Sequence, residues 1–383
     1  MKILRYHMED WLNDSFQVDY NLSASGCQDY TLAELLELCQ ADLADLGGLF
    51  LGDNDTRGSL ALRQEICRSY DSLDLDRLMV ANGSSEALFC FFNELLEPGD
   101  EVVIHFPAFQ CLYQIPLSIG CQVKFLDLLD CPGWRLDLDR LAELVTPRTK
   151  LIIINNPHNP LGWTLTRDEL AQIGRIAAAN QAHLLFDEHY RYLPLTPGAD
   201  LIPSGYDVCR PLHPDTHASG SMIKCLGIVG IRIGWLMTEP GLLARCRDYK
   251  DYLTHTIPSL TDHLARVALA SRETIVRRKK QDILPNLAAL NAFMADHAEV
   301  FQYQPPSGGV VCFPRMRQVA DSRRFCEIML RDHQVSLLPG FAFETPPHLR
   351  LNFGIDHARF TEALGRMDQC LAQAAAGRIR LEG

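Results

Sequence analysis

Ser219-Gly-Ser-Met-Ile-Lys224-Cys-Leu-Gly227-Ile-Val-Gly230-Ile-Arg232-Ile-Gly234-Trp235 is the stretch on which the reading of this chain turns. A lysine follows a small hydroxylated turn, stands among apolar neighbours, and is trailed by three glycines and an arginine. An amine held in a low-dielectric setting has a lowered pKa, which makes it a nucleophile able to form a Schiff base. A surface lysine on a glycine-rich loop would look the same in isolation. The decision therefore rests on what accompanies it.

Outward from this stretch, strand and helix patterns alternate. Leu78-Met-Val-Ala reads as a buried strand running into Asn82-Gly83-Ser84-Ser85, with a helix from Glu86 to about Leu96 that Pro98-Gly99-Asp100 stops. Glu101-Val-Val-Ile-His-Phe, Lys150-Leu-Ile-Ile-Ile and Ala182-His-Leu-Leu-Phe read as further strands. Thr166-Arg-Asp-Glu169 is a capping box that opens a helix. Continuous apolar strands between amphipathic helices predict an α/β fold, a mostly parallel sheet covered on both faces. Ligands bind beyond the carboxyl ends of such strands, and Ser84, Phe109, Asn159 and Asp187 fall at those ends.

After about residue 265 the pattern changes to a long helix carrying the basic run Arg277 to Lys280, read as a solvated face. Short strands follow at 310–313, 335–338 and 348–353, with helices around 323–331 and 358–375. The expected organisation is an N-terminal arm over 1–45 contributing to the small lobe, a large cofactor-binding domain over 46–265, and a small α+β domain over 266–383.

Composition limits the partners. The 383 residues are 47% hydrophobic and 22% charged, which suits a globular chain with one large and one small core. A formal charge of -12 argues against nucleic acid or an acidic membrane as partner. No apolar run has membrane-spanning length, and Glu9 and Asp10 stand where a secretory signal would be basic. Thirteen cysteines without a Cys-x-x-Cys pair read as reduced thiols of a cytoplasmic protein, with no metal site.

The residue types converge on pyridoxal phosphate, which asks a protein for an amine, a phosphate cradle, an acid facing the ring nitrogen, donors to the phenolic oxygen and a platform for the ring. Lys224 supplies the amine. Ser84 and Ser85 open a helix directly after a strand, where free N–H groups favour a phosphate, and Ser219, Ser221 and Arg232 complete the cradle. Asp187 faces the ring nitrogen, Asn159 and Tyr190 reach the phenolic oxygen, and Phe109 stacks on the ring.

Asn156-Pro-His-Asn-Pro-Leu-Gly162, Asp187-Glu-His-Tyr190, Ser221-Met-Ile-Lys224 and Gly230-Ile-Arg-Ile-Gly-Trp235 resemble, in order, the signatures of class I/II aminotransferases, the fold type I family of pyridoxal phosphate enzymes. His348-Leu-Arg350-Leu-Asn-Phe353 is similar to the family segment whose arginine grips the substrate α-carboxylate. The resemblance implies a homodimer, and a substrate held by Arg350 and by the backbone at Gly26. Departures are Ile223 before the lysine, Leu161 for a threonine and Phe109 for a tyrosine. Leu51 stands where many members have a tyrosine that reaches the neighbouring subunit's phosphate.

Tyr20-Asn-Leu-Ser-Ala-Ser-Gly26-Cys-Gln-Asp-Tyr30-Thr, together with Glu9-Asp-Trp11, is similar to the start of capreomycidine synthase and related arginine-modifying cyclases. The expected activity is amino-group transfer from an L-α-amino acid to a 2-oxo acid through Lys224, with Asp187 sustaining the ring charge. The alternative is elimination and cyclisation of a hydroxylated arginine, with Asp29, Glu188 and the ring of Tyr30 meeting its guanidinium and His158 and His189 as candidate proton carriers. A cofactor-sensing transcriptional regulator is disfavoured by the negative charge and by the short N-terminal arm.

Overall fold

Leu151, Ile152, Ile153 and Ile154 are fully buried, and successive members face opposite sides of one sheet. Leu151 and Ile153 join one apolar cluster, Ile152 and Ile154 the other, because strand side chains alternate in direction. Each fully buried aliphatic side chain contributes about 1.5–3 kcal/mol, so a strand that is apolar on both faces settles at the centre. The computed structural model describes residues 3–14 and 18–381.

The main sheet has seven strands: β1 (Leu78–Ala81), β2 (Glu101–Phe106), β3 (Gln122–Asp127), β4 (Thr149–Asn155), β5 (His183–Asp187), β6 (Thr216–Gly220) and β7 (Gly234–Met237). Their order is β1-β7-β6-β5-β4-β2-β3, and β7 alone runs against its neighbours. Helices named below are α1 (His7–Asp14), α2 (Ser84–Leu95), α3 (Arg167–Asn180), α4 (Arg272–Asp296) and α5 (His357–Ala375). The capping box at α3 is present, with Glu169 N–H donating to Thr166 Oγ1 at 3.2 Å. The sheet is mostly parallel and its strands alternate with helices, as the alternation predicted.

The C-terminal part forms a small antiparallel sheet of Val311–Cys312, Leu349–Asn352 and Leu338–Pro339. The strand expected over 335–338 is two strands interrupted at Leu337, whose carbonyl accepts the Trp11 indole N–H of α1 at 2.8 Å. Tyr20–Asn21 pairs in parallel with Val335–Ser336. This pairing draws the N-terminal arm onto the C-terminal part.

The basic run of α4 is not wholly a solvated face. Lys279 is buried, with Nζ 3.3 Å from the centre of the Tyr30 ring and donating to the Gln28 carbonyl. Burial pulls its pKa down to about 8. Helical spacing places Lys279 on the inner face, where the Tyr30 ring and one carbonyl satisfy the cation.

Candidate active site

Register builds the centre of the site. Asn155, Asp187 and Ser219 stand side by side at the carboxyl ends of β4, β5 and β6. The Asn155 amide donates to Asp187 Oδ2 at 3.1 Å and the Ser219 hydroxyl to Oδ1 at 2.7 Å. Asp187 is 1% exposed, so these donors replace the water that a carboxylate needs. Ser219 therefore serves the carboxylate rather than the phosphate cradle. Asn155 Oδ1 also accepts the Asn159 N–H at 2.6 Å, which fixes the loop after β4.

A cavity of about 590 Å³ opens here, bordered by Ser84, Ser85, Phe109, Asn159, Lys224 and Arg232, with Gly26 on the side of the arm. At α2 the cap residue is Gly83 with φ +89°, which leaves no side chain over the first amides of the helix. Those amides have no partner earlier in the helix. Arg232 Nη2 would stand 2.8 Å from a Cβ on Gly83, and a Cβ on Gly234 would stand 2.2 Å from Ser84 N. The two glycines thus let the guanidinium and the helix start approach each other.

Ser221 lies on the far side of the Lys224 loop from the cavity-bordering serines Ser84 and Ser85. It is fully buried, its hydroxyl donates to the Ile233 carbonyl at 2.7 Å, and it does not border the cavity. It shapes the Lys224 loop from behind. Tyr190 gives its phenolic hydrogen to the Ser25 carbonyl at 2.6 Å, leaving its oxygen lone pairs as acceptors. Phe109 borders the cavity and meets Tyr6 edge-on, 6.2 Å between centroids.

The Lys224 side chain is half-buried at the edge of the cavity, and its amine donates to Ser25 Oγ. Burial pulls its pKa down to about 8, assisted by the guanidiniums of Arg350 and Arg232 and opposed by Glu9 and Asp187. Ser25 was not singled out from sequence; its only signal was the Ser-Gly step within the arm. Gly26 packs on the same loop, where a Cβ would stand 3.1 Å from Val229 Cγ2.

Arg350 is fully buried, donating to the Ser23 carbonyl at 2.8 Å and to Asn159 Oδ1 at 3.1 Å, while its Nε has no partner. Among the described residues no carboxylate pairs with it, and burial holds its pKa below arginine's usual value. A buried guanidinium with open valence suits an incoming carboxylate.

Two expected contacts are displaced. Glu188 is 1% exposed and caps the helix Gly205–Cys209, accepting the Gly205 N–H at 2.6 Å and the Ser204 hydroxyl at 2.9 Å. Burial lifts its pKa to about 7, and its place is outside the cavity. The Tyr30 ring is covered by Lys279. Asp29 does border the cavity, with Oδ1 accepting the Val229 N–H at 2.9 Å, and Glu9 of α1 borders it as well. His158 is fully buried, stacked on Trp163 and 3.1 Å from His105, away from the cavity.

The donor set fits pyridoxal phosphate. A depressed-pKa amine and a helix start beside an arginine border one cavity, and a carboxylate held by the Asn155 and Ser219 donors stands at the adjoining strand end. Residues 21–367 match the family model for aminotransferase class I and II, and the chain belongs to that family. Capreomycidine synthase of Streptomyces vinaceus is 29% identical over 379 residues, 98% of this chain and 96% of that protein. A solved pyridoxal phosphate-dependent aminotransferase from Streptococcus suis 89-1591 superposes with a TM-score of 0.90 at 30% identity, covering 97% of this chain and 99% of that one. The pyridoxal phosphate-dependent cyclase OrfR gives 0.91 at 30% identity, covering 98% of each chain. This chain is accordingly a pyridoxal phosphate-dependent enzyme of that family.

Proposed function

We propose that the enzyme acts on an L-α-amino acid with a positively charged side chain, transferring its amino group to a 2-oxo acid. The observation that carries the substrate class is the pair of carboxylates, Glu9 and Asp29, on the wall of a cavity also bordered by Asn159, the partner of Arg350. Arg350 holds the substrate α-carboxylate, with the backbone at Gly26 facing the bound substrate. The two acids receive the far cationic end.

Lys224, Asp187, Ser84, Ser85, Arg232, Phe109, Asn159 and Tyr190 are the residues assigned to the cofactor, Tyr190 exchanging its bond to the Ser25 carbonyl for one to the cofactor's phenolic oxygen. Bound there, pyridoxal phosphate supplies an electron sink for negative charge at the substrate Cα. Asp187 keeps a proton on the ring nitrogen, and its two fixed donors keep it aimed there. Arg232 and the first amides of α2 hold the phosphate. Lys224, neutral above about pH 8, takes the Cα proton and returns it.

A second reading is elimination and ring closure on a hydroxylated arginine. It is supported by the nearly end-to-end similarity to capreomycidine synthase and to the OrfR cyclase, whose matches include the N-terminal arm. The arm supplies Glu9, Ser25 and Asp29 to the cavity. The proposal also includes a homodimer, a cytoplasmic site of action and the division at residues 45 and 265. Phe50 and Leu51, 79% and 85% exposed, support a face for a second copy, and Leu51 replaces an inter-subunit hydroxyl with an apolar contact. Thirteen free thiols suit a reducing compartment. The parallel pairing of Tyr20–Asn21 with Val335–Ser336 supports placing the arm with the small lobe.

Hydroxyarginine, arginine and uncharged L-amino acids, each supplied without an acceptor, test both readings. One equivalent of keto acid per site followed by arrest supports transfer. Sustained release of a cyclic guanidine supports ring closure. A preference for uncharged amino acids would overturn the substrate class.

A further inference from the structure

His189 lies two residues past the end of β5, between the carboxylate and the start of α2. Its Nε2 is 2.7 Å from Ser84 Oγ and 3.1 Å from Asp187 Oδ1. A carboxylate only accepts, so Nε2 carries the ring hydrogen and shares it between the two oxygens. Ser84 Oγ is then an acceptor from His189, and its own hydrogen is left to be donated into the cavity that Ser84 borders. The ring is 11% exposed at the side chain, and its Nδ1 is buried without a hydrogen-bond partner among the described residues, so the ring's polar contacts all run through Nε2. The backbone behind it is fixed, with the His189 carbonyl accepting from Cys225 Sγ at 3.4 Å.

We propose that His189 is a positioning residue that joins the two ends of the cofactor site. It orients the Ser84 hydroxyl as a donor to the phosphate and holds the Asp187 carboxylate towards the ring nitrogen. The chain of contacts runs Asn155 and Ser219 to Asp187, Asp187 to His189, and His189 to Ser84. This rests on the assignment of Ser84 and Asp187 to the cofactor made above. The consequence specific to the bridge is that loss of His189 acts on the phosphate end, although His189 reaches the phosphate only through Ser84.

The test compares pyridoxal phosphate with pyridoxal, which lacks the phosphate, on the apoenzyme by their visible absorption on attachment to Lys224. In His189→Leu the preference for pyridoxal phosphate over pyridoxal falls about tenfold, as expected for one charge-assisted hydrogen bond lost. In His189→Gln, whose amide N–H can stand where Nε2 stands, the preference stays within about threefold of wild type. His189→Asn, too short to reach both oxygens, behaves like the leucine variant and replaces it as the test if leucine lowers Tm. An unchanged preference in the leucine or asparagine variant, or equal values for glutamine and asparagine, overturns the role of His189 alone. Failure of the wild-type protein to attach pyridoxal phosphate at Lys224 overturns the site assignment as well.

Discussion

Ser25 and Lys224 meet across 199 residues of chain, the lysine amine donating to the serine hydroxyl oxygen. The same Ser25 accepts the Tyr190 phenolic hydrogen at its carbonyl, and Cys27 N–H donates to the Lys224 carbonyl at 2.8 Å. The arm and the lysine loop are thereby locked to each other at side chain and backbone. Lys224 is aimed from the arm as much as from its own loop.

Ser25→Ala removes the acceptor and leaves the amine in place. Loss of one hydrogen bond to a charged or partly charged amine is worth about 1.5 kcal/mol, or about tenfold in rate. The exchange of the substrate Cα hydrogen for deuterium should slow by that factor. Attachment of the cofactor to Lys224 should persist, because the lysine itself is untouched.

The lowered pKa of Lys224 predicts a pH profile. The neutral amine is the nucleophile, and its fraction rises with pH until the folded-state pKa of about 8 is passed. The rate of cofactor attachment to apoenzyme should rise about tenfold per pH unit below that value and level off above it. An exposed lysine would keep rising to about 10.4. A rise continuing past pH 9.5 would show that burial does not govern this amine.

Asp187→Asn retains the shape of the clamp from Asn155 and Ser219 but removes the charge facing the ring nitrogen. Cofactor should remain bound while Cα deprotonation slows by roughly three orders of magnitude, each 1.36 kcal/mol being about tenfold. Deuterium exchange near the wild-type rate would reduce Asp187 to a structural strand end.

Arg350 combines complete burial with an unpartnered Nε. Arg350→Lys should raise KM for the amino acid by about a hundredfold, since a lysine cannot present two parallel donors to a carboxylate. Arg350→Met should abolish substrate binding without lowering Tm, because removing an unpaired buried charge offsets the loss of its two neutral hydrogen bonds. A drop in Tm of more than about 5 °C would make Arg350 a structural residue.

Residues placed at strand ends were legible from sequence. Lys224, Asp187, Ser84 and Asn159 sit where an apolar run stops and a polar or glycine step begins; Lys224, Ser84 and Asn159 border one cavity, and Asp187 stands at the strand end beside it. Residues whose role depends on a distant partner were not. Ser25 becomes meaningful only beside Lys224, and Glu188 turns away because Ser204 and Gly205, 16 and 17 residues later, offer it a helix to cap. Lys279 reads as one of four basic residues until the fold sets the Tyr30 ring beneath it. Ser221 had the right spacing, but Ile233 offers its hydroxyl a carbonyl inside the loop.

The pairing of Tyr20–Asn21 with Val335–Ser336 has a consequence for the order in which a nascent chain gains its parts. Leu22, Ala24 and Gly26 are held by Asn352, and Ser23 by Arg350. The seven-stranded sheet ends at Met237 and can form while the remainder is still being translated, since domains fold in the order they emerge. The arm is made before the sheet, and its anchoring strands are made after it. A ribosome stalled before residue 335 would hold a chain with Lys224, Asp187 and Ser84 in place but with the wall bearing Ser25 still unseated. Catalytic competence is thus tied to synthesis through Asn352 rather than to completion of the sheet.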